Sequence, residues 1–232
     1  MASQSGQDGG DRGEDLWEMV FATFGVREHR LLQAAGHRPY RRTILSRGMV
    51  CKISIRVGCD PQDETLQHEY EILKRCNGIS GVPFAAELAH SEEAVMLTIP
   101  YIEGQPLMRQ GEERWCVPTG VVVRSVFLLV PLLCRLSWRG VAHNDLKPWN
   151  VIWRKEGGVT LIDFDMASEM TPWRAFYRNL VALRGHLGGT SLLYIVAKLC
   201  KPLVPLKVVN CVRRKTGYMS DRERRGGDAT KV

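Results

Sequence analysis

Two short segments of the sequence, HNDLKPWNVIW at 143–153 and LIDFD at 161–165, contain polar side chains suited to phosphate chemistry. These side chains are Asp145, Lys147, Asn150 and Asp163. Transfer of a phosphoryl group requires a carboxylate near the attacking hydroxyl, a cation near the transferred phosphate and oxygen ligands for magnesium. The residue types and their spacing therefore predict a phosphoryl-transfer site, which the rest of the chain must position.

Each of these residues alone is more simply explained as a surface carboxylate or a loop cap. Asp163 argues against that explanation because it follows the apolar run VTLI at 159–162. A charge in such a setting is unfavourable unless it is paired or coordinates a metal. Together, the four side chains favour a catalytic site over four unrelated surface groups.

The composition is that of an ordinary globular protein, with 44% hydrophobic and 25% charged residues among 232. A chain of this length can bury a core as one domain or as two small lobes around a cleft. The net charge of +7 favours anionic partners such as nucleotides. Much of that charge is concentrated in the C-terminal tail, at Arg213, Arg214, Lys215, Arg222, Arg224 and Arg225.

The seven cysteines are scattered, and none has the CxxC or Cys/His spacing of a metal site. Several lie in apolar runs, which indicates free thiols in a reducing compartment and not a disulfide framework. Residues 1–14 lack the apolar segment of a signal peptide and are predicted to be a disordered leader. We therefore expect a cytoplasmic protein.

Hydrophobic periodicity predicts a first half rich in β-strands. A helix over 15–24 places Leu16, Val20 and Phe24 on one face. Three antiparallel strands are expected within 31–57, with turns near Gly36-His37 and Arg47-Gly48. The remaining predicted elements of this half are a helix over 65–76, strands over 84–88 and 94–99, and a connector over 100–104.

The second half is predicted to be mostly helical. A long apolar helix covers 118–139, and Arg124 and Pro131 within it favour a buried helix over a membrane span. The further elements are strands over 151–153 and 159–162, joined by a turn at Gly157-Gly158, and helices over 172–187 and 191–199.

These segments resemble those of the protein kinase-like superfamily over roughly 31–187. HNDLKPWNVIW is similar to the HRDLKPENLL catalytic loop, and LIDFD is similar to the strand and DFG magnesium motif. The resemblance implies an α+β, bilobal fold with a small five-stranded antiparallel N-lobe, one main helix in that lobe and a shortened, mostly helical C-lobe. The expected units are a leader at 1–14, the N-lobe at 15–101, the C-lobe at 102–210 and a basic flexible tail at 211–232.

The resemblance also implies ATP and Mg²⁺ as cofactors and assigns roles to the catalytic segments. Asp145 would orient the acceptor hydroxyl and accept its proton, and Lys147 would neutralise charge on the transferred group. Asn150 and Asp163 would hold magnesium. These roles agree with the general requirements of phosphoryl transfer, which are positioning and charge neutralisation.

The same resemblance assigns an ATP-binding set to the upstream lobe. MVCK at 49–52 is similar to the VAIK strand, so Lys52 would contact the phosphates and pair with Glu69, for which Glu71 is a rival. Leu73, His143 and Phe164 would stack as a column joining the lobes. Adenine would lie between Val50 and Ile152, with main-chain groups of Pro100 and Ile102 at its edge.

Four departures from the family pattern bear on activity and substrate. Only Gly36 stands where a glycine-rich phosphate loop is expected, and Arg38 or Arg41 could supply charge there instead. Asn144 replaces the arginine of the catalytic loop, and Asp165 replaces the glycine after Asp163-Phe164. No APE-like motif follows, which reduces the groove for a peptide substrate, and Asn179-LVAL is a weak match to the helix that anchors the catalytic loop.

Three functions remain open at this stage. The first is an ATP- and magnesium-dependent kinase of serine/threonine protein kinase type, and the second is a kinase of a saccharide, similar to small bacterial lipopolysaccharide-core kinases, or of another small hydroxyl substrate. The third is a pseudokinase that binds without turnover. Peripheral membrane contact through the apolar segment 192–209 and the basic tail is a secondary expectation, and no nucleic-acid partner is expected.

Overall fold

The computed structural model describes residues 11–34, 40–56, 62–111 and 114–187. Within them lie the helices α1 (Asp11–Thr23), α2 (Gln62–Arg75), α3 (Thr119–Trp138) and α4 (Pro172–Leu187). The strands of the first half are β1 (Arg30–Ala34), β2 (Arg41–Ser46), β3 (Met49–Ile55), β4 (Glu87–His90), β5 (Ala94–Pro100) and β6 (Gly104–Pro106). Those of the second half are β7 (Val141–Ala142), β8 (Val151–Arg154), β9 (Val159–Leu161) and β10 (Ser168–Glu169).

Five antiparallel strands form the main sheet, in the order β1-β2-β3-β5-β4. The hairpin between β2 and β3 turns at Arg47 and Gly48, whose φ angles of 49° and 74° are both left-handed. A two-residue turn of this kind matches the right-handed twist of the strands it joins. The predicted α+β class and five-stranded sheet are therefore confirmed, whereas the turn at Gly36-His37 lies outside the described residues.

α1 packs against the main sheet through Trp17, Val20 and Phe21, which are buried in one cluster with Ile44 and Ile53. The predicted face of Leu16, Val20 and Phe24 is therefore wrong in part, because Leu16 and Phe24 are only partly buried. Trp17 and Phe21 are buried in place of Leu16 and Phe24, together with Val20. The helix also begins at Asp11, four residues before the predicted start.

α2 packs beside β5, and Leu66, Ile72 and Leu73 contribute to a second, larger core that continues into α3. The helix begins at Gln62, earlier than predicted, and ends near the predicted position with Lys74 and Arg75 in its last turn. Cations there interact favourably with the helix dipole. α2 thus lies between the sheet and the second half of the chain.

Two predicted boundaries in the middle of the chain are wrong. The fourth strand runs over Glu87–His90 and not over 84–88, and Phe84 is 53% exposed. The expected connector over 100–104 ends in a strand, β6, which pairs with β8. Gly104 allows this pairing because a Cβ atom there would lie 2.3 Å from the carbonyl oxygen of Trp153.

α3 lies in the core of the second half, with one face buried through Val122, Val126, Leu129, Leu133 and Leu136. It packs against α4 and β7. By length and composition it is the helix of the described residues that could cross a membrane, which is weak evidence because core helices pass the same test. α4 covers Pro172–Leu187 as predicted, the predicted helix over 191–199 lies outside the described residues, and the lobe boundaries at 101 and 210 remain predictions.

Candidate active site

Lys52 lies at the centre of a buried ionic cluster. The register of the sheet places Lys52 opposite Thr43 on β2 and Leu97 on β5, so the side chain projects from a central strand. Its Nζ lies 2.7 and 2.8 Å from the two carboxylate oxygens of Glu69 and 2.7 Å from Oδ1 of Asp163. The structure therefore joins the three residues predicted from β3, α2 and the LIDFD segment, and it pairs Lys52 with Glu69 and not with Glu71.

The carboxylates around Lys52 decide its protonation. Burial would lower the pKa of Lys52, but Glu69 and Asp163 outweigh it and raise this pKa above its ordinary value. Burial likewise acts to raise the pKa of Asp163, while the ammonium of Lys52 holds this pKa below its ordinary value. Both groups are therefore charged at neutral pH, which a site for a polyphosphate and a divalent cation requires.

The catalytic-loop segment forms a second polar cluster, which is centred on the carboxylate of Asp145. Lys147 Nζ lies 2.7 Å from Oδ1 of Asp145, and Asn150 Nδ2 donates to Oδ2 at 3.0 Å and to the main-chain oxygen of Asp145 at 2.9 Å. A 3-10 turn over Pro148–Asn150 brings Asn150 back toward Asp145. The sequence interval thus fixes the carboxylate between a cation and an amide.

Asn179 on α4 anchors this loop through three buried hydrogen bonds. Its Oδ1 accepts from the main-chain N–H of His143 at 2.9 Å, and its Nδ2 donates to Ser137 Oγ and to the carbonyl of Val141, both at 3.0 Å. Asn179 is 1% exposed. The weak sequence match between Asn179-LVAL and an anchoring helix therefore corresponds to a buried hydrogen-bonded junction between α3, β7, α4 and the catalytic loop.

The predicted column of Leu73, His143 and Phe164 is buried between the two parts of the molecule. His143 meets the ring of Phe164 edge-on, with centroids 4.6 Å apart, and Leu73 shares one apolar cluster with Phe164. The main-chain N–H of Phe164 donates to Oε1 of Glu69 at 3.1 Å. These contacts hold Asp163 in place relative to α2.

The buried ring of His143 makes stability depend on pH. Burial lowers the pKa of His143 below its ordinary value of 6.5, although its contact with the Ile162 carbonyl and the nearby carboxylates of Asp163, Asp145 and Glu69 oppose the shift. A group with a lowered folded-state pKa contributes stability that is complete above its unfolded pKa and is lost as pH falls.

We expect the free energy of unfolding to decline as pH falls below about 6.5, with a slope of at most about 1.4 kcal/mol per pH unit from this group. Chemical denaturation at a series of pH values measures it. His143→Phe should flatten the profile between pH 6.5 and 5, and His90→Phe, at an exposed site, should not. An unchanged profile in His143→Phe would contradict the assignment.

Asn144, which stands where the family has arginine, holds the segment after the DFD motif. It adopts a left-handed φ of 59°. Its Nδ2 donates to the Met166 carbonyl at 3.0 Å and to Ser168 Oγ at 2.7 Å. The segment is therefore fastened by neutral hydrogen bonds, where an arginine would form ion pairs with a phosphorylated residue.

Arg41 and Asp165 reach the same cluster from opposite sides. Arg41 is 8% exposed, and its guanidinium nitrogens lie 3.8 Å from Oε2 of Glu69 and 3.8 Å from Oδ2 of Asp165. Burial and the charge of Asp163 raise the pKa of Asp165 above its ordinary value. The prediction that Arg41 brings charge to this site agrees with its position, whereas Gly36 and Arg38 lie outside the described residues.

The residues predicted to contact adenine lie where β5 leaves the main sheet and on β8. Pro100 ends β5 opposite Met49, next to the pairing of Val50 with Ile99. The N–H of Tyr101 donates to the Gly48 carbonyl at 3.0 Å, which continues the contact between the two segments one residue beyond the end of β5. Val50 and Ile152 are partly exposed, on β3 and β8 respectively.

The donor set fits magnesium bound together with phosphates. Both N–H groups described for Asn150 point at Asp145, so its Oδ1 is free to bind a cation, and Asp163 Oδ1 is paired with Lys52. The described residues hold no cluster of three or more His, Cys, Asp or Glu side chains arranged for a metal. Magnesium is commonly held by one or two protein carboxylates plus substrate phosphates. Asp163 would supply the carboxylate, and the amide oxygen of Asn150 would be a second oxygen donor.

Two structural residues of the site were missed from the sequence. Ser137 accepts a bond from Asn179 and donates to the Leu133 carbonyl at 2.6 Å, and His68 Nε2 lies 2.6 Å from the carbonyl of Ala167. Ser137 is a polar residue inside an apolar helix, which is a detectable signal. His68 has no such signal, because it lies on the polar side of α2 and its partner is distant in sequence.

The geometry and the family comparison agree. The model of the protein kinase domain matches residues 45–185, which is more than half of the chain. The match includes β3, α2, the catalytic-loop segment, the DFD motif and most of α4. The chain belongs to the protein kinase domain family, a family of phosphotransferases.

Several named kinases are similar to the chain. The serine/threonine-protein kinase UCN of Arabidopsis thaliana is 31% identical over 119 residues, covering 48% of this chain and 30% of that protein. The serine/threonine-protein kinase TIO of Arabidopsis thaliana is 26% identical over 184 residues, covering 76% of this chain and 13% of that protein. The cAMP-dependent protein kinase catalytic subunit PRKX of Mus musculus is 25% identical over 115 residues, covering 47% of this chain and 30% of that protein. The matches thus span less than a third of each of these relatives.

Proposed function

We propose that the chain transfers the γ-phosphoryl group of ATP, with magnesium, to the hydroxyl of serine or threonine in a protein. The observation that carries this proposal is a pair of polar clusters whose segments are joined by the main-chain bond from the Ile162 N–H to the Asn150 carbonyl at 2.9 Å. One joins Lys52 to Glu69 and Asp163, and the other joins Asp145 to Lys147 and Asn150. Together they supply the groups that phosphoryl transfer needs.

In this proposal each side chain has one task. Lys52, held by Glu69, contacts the phosphates that stay with the nucleotide. Asp163 and Asn150 hold magnesium, which neutralises phosphate charge when it is bound. Asp145 orients the acceptor hydroxyl and takes its proton, and Lys147 lies beside it to stabilise negative charge on the group in transfer.

The adenine contacts complete the nucleotide site in this proposal. Val50 and Ile152 would flank the base, and the Pro100 carbonyl with the main-chain groups of Ile102 would hydrogen-bond its edge. A carbonyl is the group required at Pro100, so the missing N–H of proline is no obstacle. Gly36 would lie near the phosphates.

The names of the similar proteins favour a protein acceptor over a saccharide. UCN and TIO are named as serine/threonine-protein kinases. No contact among the described residues favours a saccharide acceptor or a membrane surface. A cytoplasmic location remains part of the proposal and is supported by the free thiols of Cys51, Cys76, Cys116 and Cys134.

Replacement of Asp163 by asparagine tests the metal site. We expect at least about tenfold weaker ATP binding in the presence of Mg²⁺, because the change removes a charged metal ligand and the partner of Lys52. Calorimetric titration of wild type and variant, with Mg²⁺ and with EDTA, measures the effect. Glu156→Gln, in the exposed turn between β8 and β9, is the matched control.

The transfer itself is tested with labelled ATP and denatured lysate protein. Acid-stable label on serine and threonine would support the proposal. ATP binding that is indifferent to magnesium, without transfer to protein, would favour the pseudokinase. Transfer to added lipopolysaccharide-core sugars without transfer to protein would favour the saccharide kinase.

A further inference from the structure

Arg41 lies on the face of the main sheet that carries Lys52. Thr43 is opposite Lys52 and Arg41 is opposite Ser54 in the pairing of β2 with β3. Residues opposite each other share one face, and residues two apart on a strand share that face as well. Arg41 therefore projects into the same site as Lys52, one step further along the sheet, whereas its neighbour Arg42 projects to the other side.

The side chain of Arg42 confirms this alternation. Its nitrogens lie 3.2 and 2.6 Å from the carboxylate oxygens of Glu14 on α1, and its guanidinium carbon lies 4.6 Å from the ring centre of Trp17. Arg42 thus serves the outer face of the sheet, against α1. The two adjacent arginines form a natural pair for comparison.

The guanidinium of Arg41 is held by two long ion pairs, and its N–H donors make no short hydrogen bond to the described residues. Its two ion pairs, to Glu69 and to Asp165, are both 3.8 Å long, which exceeds the usual N–H···O range of 2.7–3.2 Å. Among the described residues it makes no shorter contact. A guanidinium carries five N–H donors in a planar fork that matches the oxygens of a phosphate. Arg41 therefore offers unused donors inside the site.

The charges in the site favour a phosphate-binding role for the guanidinium of Arg41. Two cations, Lys52 and Arg41, face the three carboxylates of Glu69, Asp163 and Asp165. Without Arg41 a single lysine would face those carboxylates, so the excess of negative charge that a polyphosphate meets would be larger. The sequence between Leu31 and Tyr40 contains a single glycine, where the family pattern has a glycine-rich loop whose backbone amides bind phosphate.

We propose that Arg41 binds the phosphates of the nucleotide directly and that Asp165 is the residue that positions its guanidinium. The inference rests on the proposed function, since it assumes that the site takes ATP. It adds a phosphate ligand from β2 and gives a reason for the carboxylate that follows the DFD phenylalanine. In this proposal the guanidinium of Arg41, held by Asp165, takes the place of the backbone amide donors that a glycine-rich loop provides.

The proposal is tested by comparing nucleotides that differ in phosphate content. ATP, ADP and adenosine are titrated by calorimetry into wild type, Arg41→Lys, Arg41→Met and the control Arg42→Met, with Mg²⁺ and with EDTA. We expect Arg41→Met to weaken ATP binding by about ten- to a hundredfold and ADP binding less, with adenosine unchanged. Arg41→Lys keeps the charge and loses the fork, so we expect an intermediate loss. Arg42→Met should leave all three affinities as in wild type.

Asp165→Asn tests the positioning role. We expect weaker ATP binding with unchanged adenosine binding. We also expect the double variant Arg41→Met/Asp165→Asn to bind ATP no more weakly than Arg41→Met, because Asp165 acts through Arg41. Additive losses in the double variant would overturn the positioning role.

The outcomes separate this inference from the proposed function. If wild type binds ATP with magnesium but Arg41→Lys and Arg41→Met keep the wild-type ratio of ATP to adenosine affinity, the inference is overturned and the kinase proposal stands. If wild type binds no ATP, both are overturned. Thermal unfolding of the ligand-free variants shows whether they fold. If Arg41→Met does not fold, Arg41→Lys, which keeps the charge, provides the ratio of ATP to adenosine affinity.

Discussion

Replacing Asp145 by alanine is expected to lower the rate of phosphoryl transfer by about a thousandfold or more while leaving ATP affinity unchanged. Both carboxylate oxygens of Asp145 are committed, Oδ1 to Lys147 and Oδ2 to Asn150. The contacts of Lys52 with Glu69 and Asp163 do not involve Asp145. In the alanine variant Asn150 loses its bond to the carboxylate but keeps its bond to the main-chain oxygen of residue 145, which holds it in place. Loss of the carboxylate therefore removes the group that we propose as the base for the acceptor hydroxyl, and it leaves the cluster around Lys52 intact.

Asp145→Asn separates charge from shape. It keeps a side chain of the same size that can still contact Lys147, but an amide cannot accept the hydroxyl proton. We expect it to be nearly as inactive as Asp145→Ala in single-turnover transfer of labelled phosphate. Glu103→Gln, which removes an exposed partner of Lys155, serves as the control and should keep wild-type activity. Wild-type turnover in Asp145→Ala would contradict the assignment of Asp145 as the base.

The sequence predicted the local parts of this site because their spacing is set by short segments. Asp145, Lys147 and Asn150 lie within one loop and turn, so their mutual geometry follows from a few backbone angles. The strand around Lys52 was found because it is apolar and β-branched on both sides of the lysine. Its partner Glu69 was assigned by the resemblance to the protein kinase-like superfamily, and the helical period of α2 predicted only the helix that carries it.

Contacts between distant segments were less accessible. Arg41 meets Asp165 only because the register of β2 and β3 directs it inward, and one residue of slippage would direct Arg42 there instead. The sequence left the choice open between Arg38 and Arg41. The strand β6 was missed for the same reason, since its pairing with β8 depends on the close approach at Gly104.

The boundaries of β4 and the buried face of α1 show a different limit. Residues 84–90 alternate weakly after Pro83, and the pairing with β5, which the sequence does not show, selects Glu87–His90. On α1 the spacing of Leu16, Val20 and Phe24 and that of Trp17, Val20 and Phe21 are both helical. The sheet surface selects the larger aromatic pair, so tertiary packing decides between two acceptable faces.

Replacing Asn179 by alanine is expected to lower the free energy of unfolding by roughly 3–5 kcal/mol. The change removes the Asn179 partner of the His143 N–H, of the Val141 carbonyl and of the Ser137 hydroxyl, which keeps its bond to the Leu133 carbonyl. All three groups lie in a buried region, where an unsatisfied polar group costs about 1–3 kcal/mol. Urea denaturation followed by circular dichroism measures the loss.

Asn179→Leu distinguishes hydrogen bonding from packing. Leucine fills much of the space but restores none of the three bonds, so we expect it to be about as destabilising as alanine. Arg174→Ala, at an exposed position on the same helix, should change stability by less than about 0.5 kcal/mol. Recovery of stability in Asn179→Leu would mean that volume, and not the junction of hydrogen bonds, makes this residue important. If Asn179→Leu is instead as destabilising as Asn179→Ala, the hydrogen bonds are what matters. They then link the stability of α4 to the position of His143, and through His143 to the loop that carries Asp145.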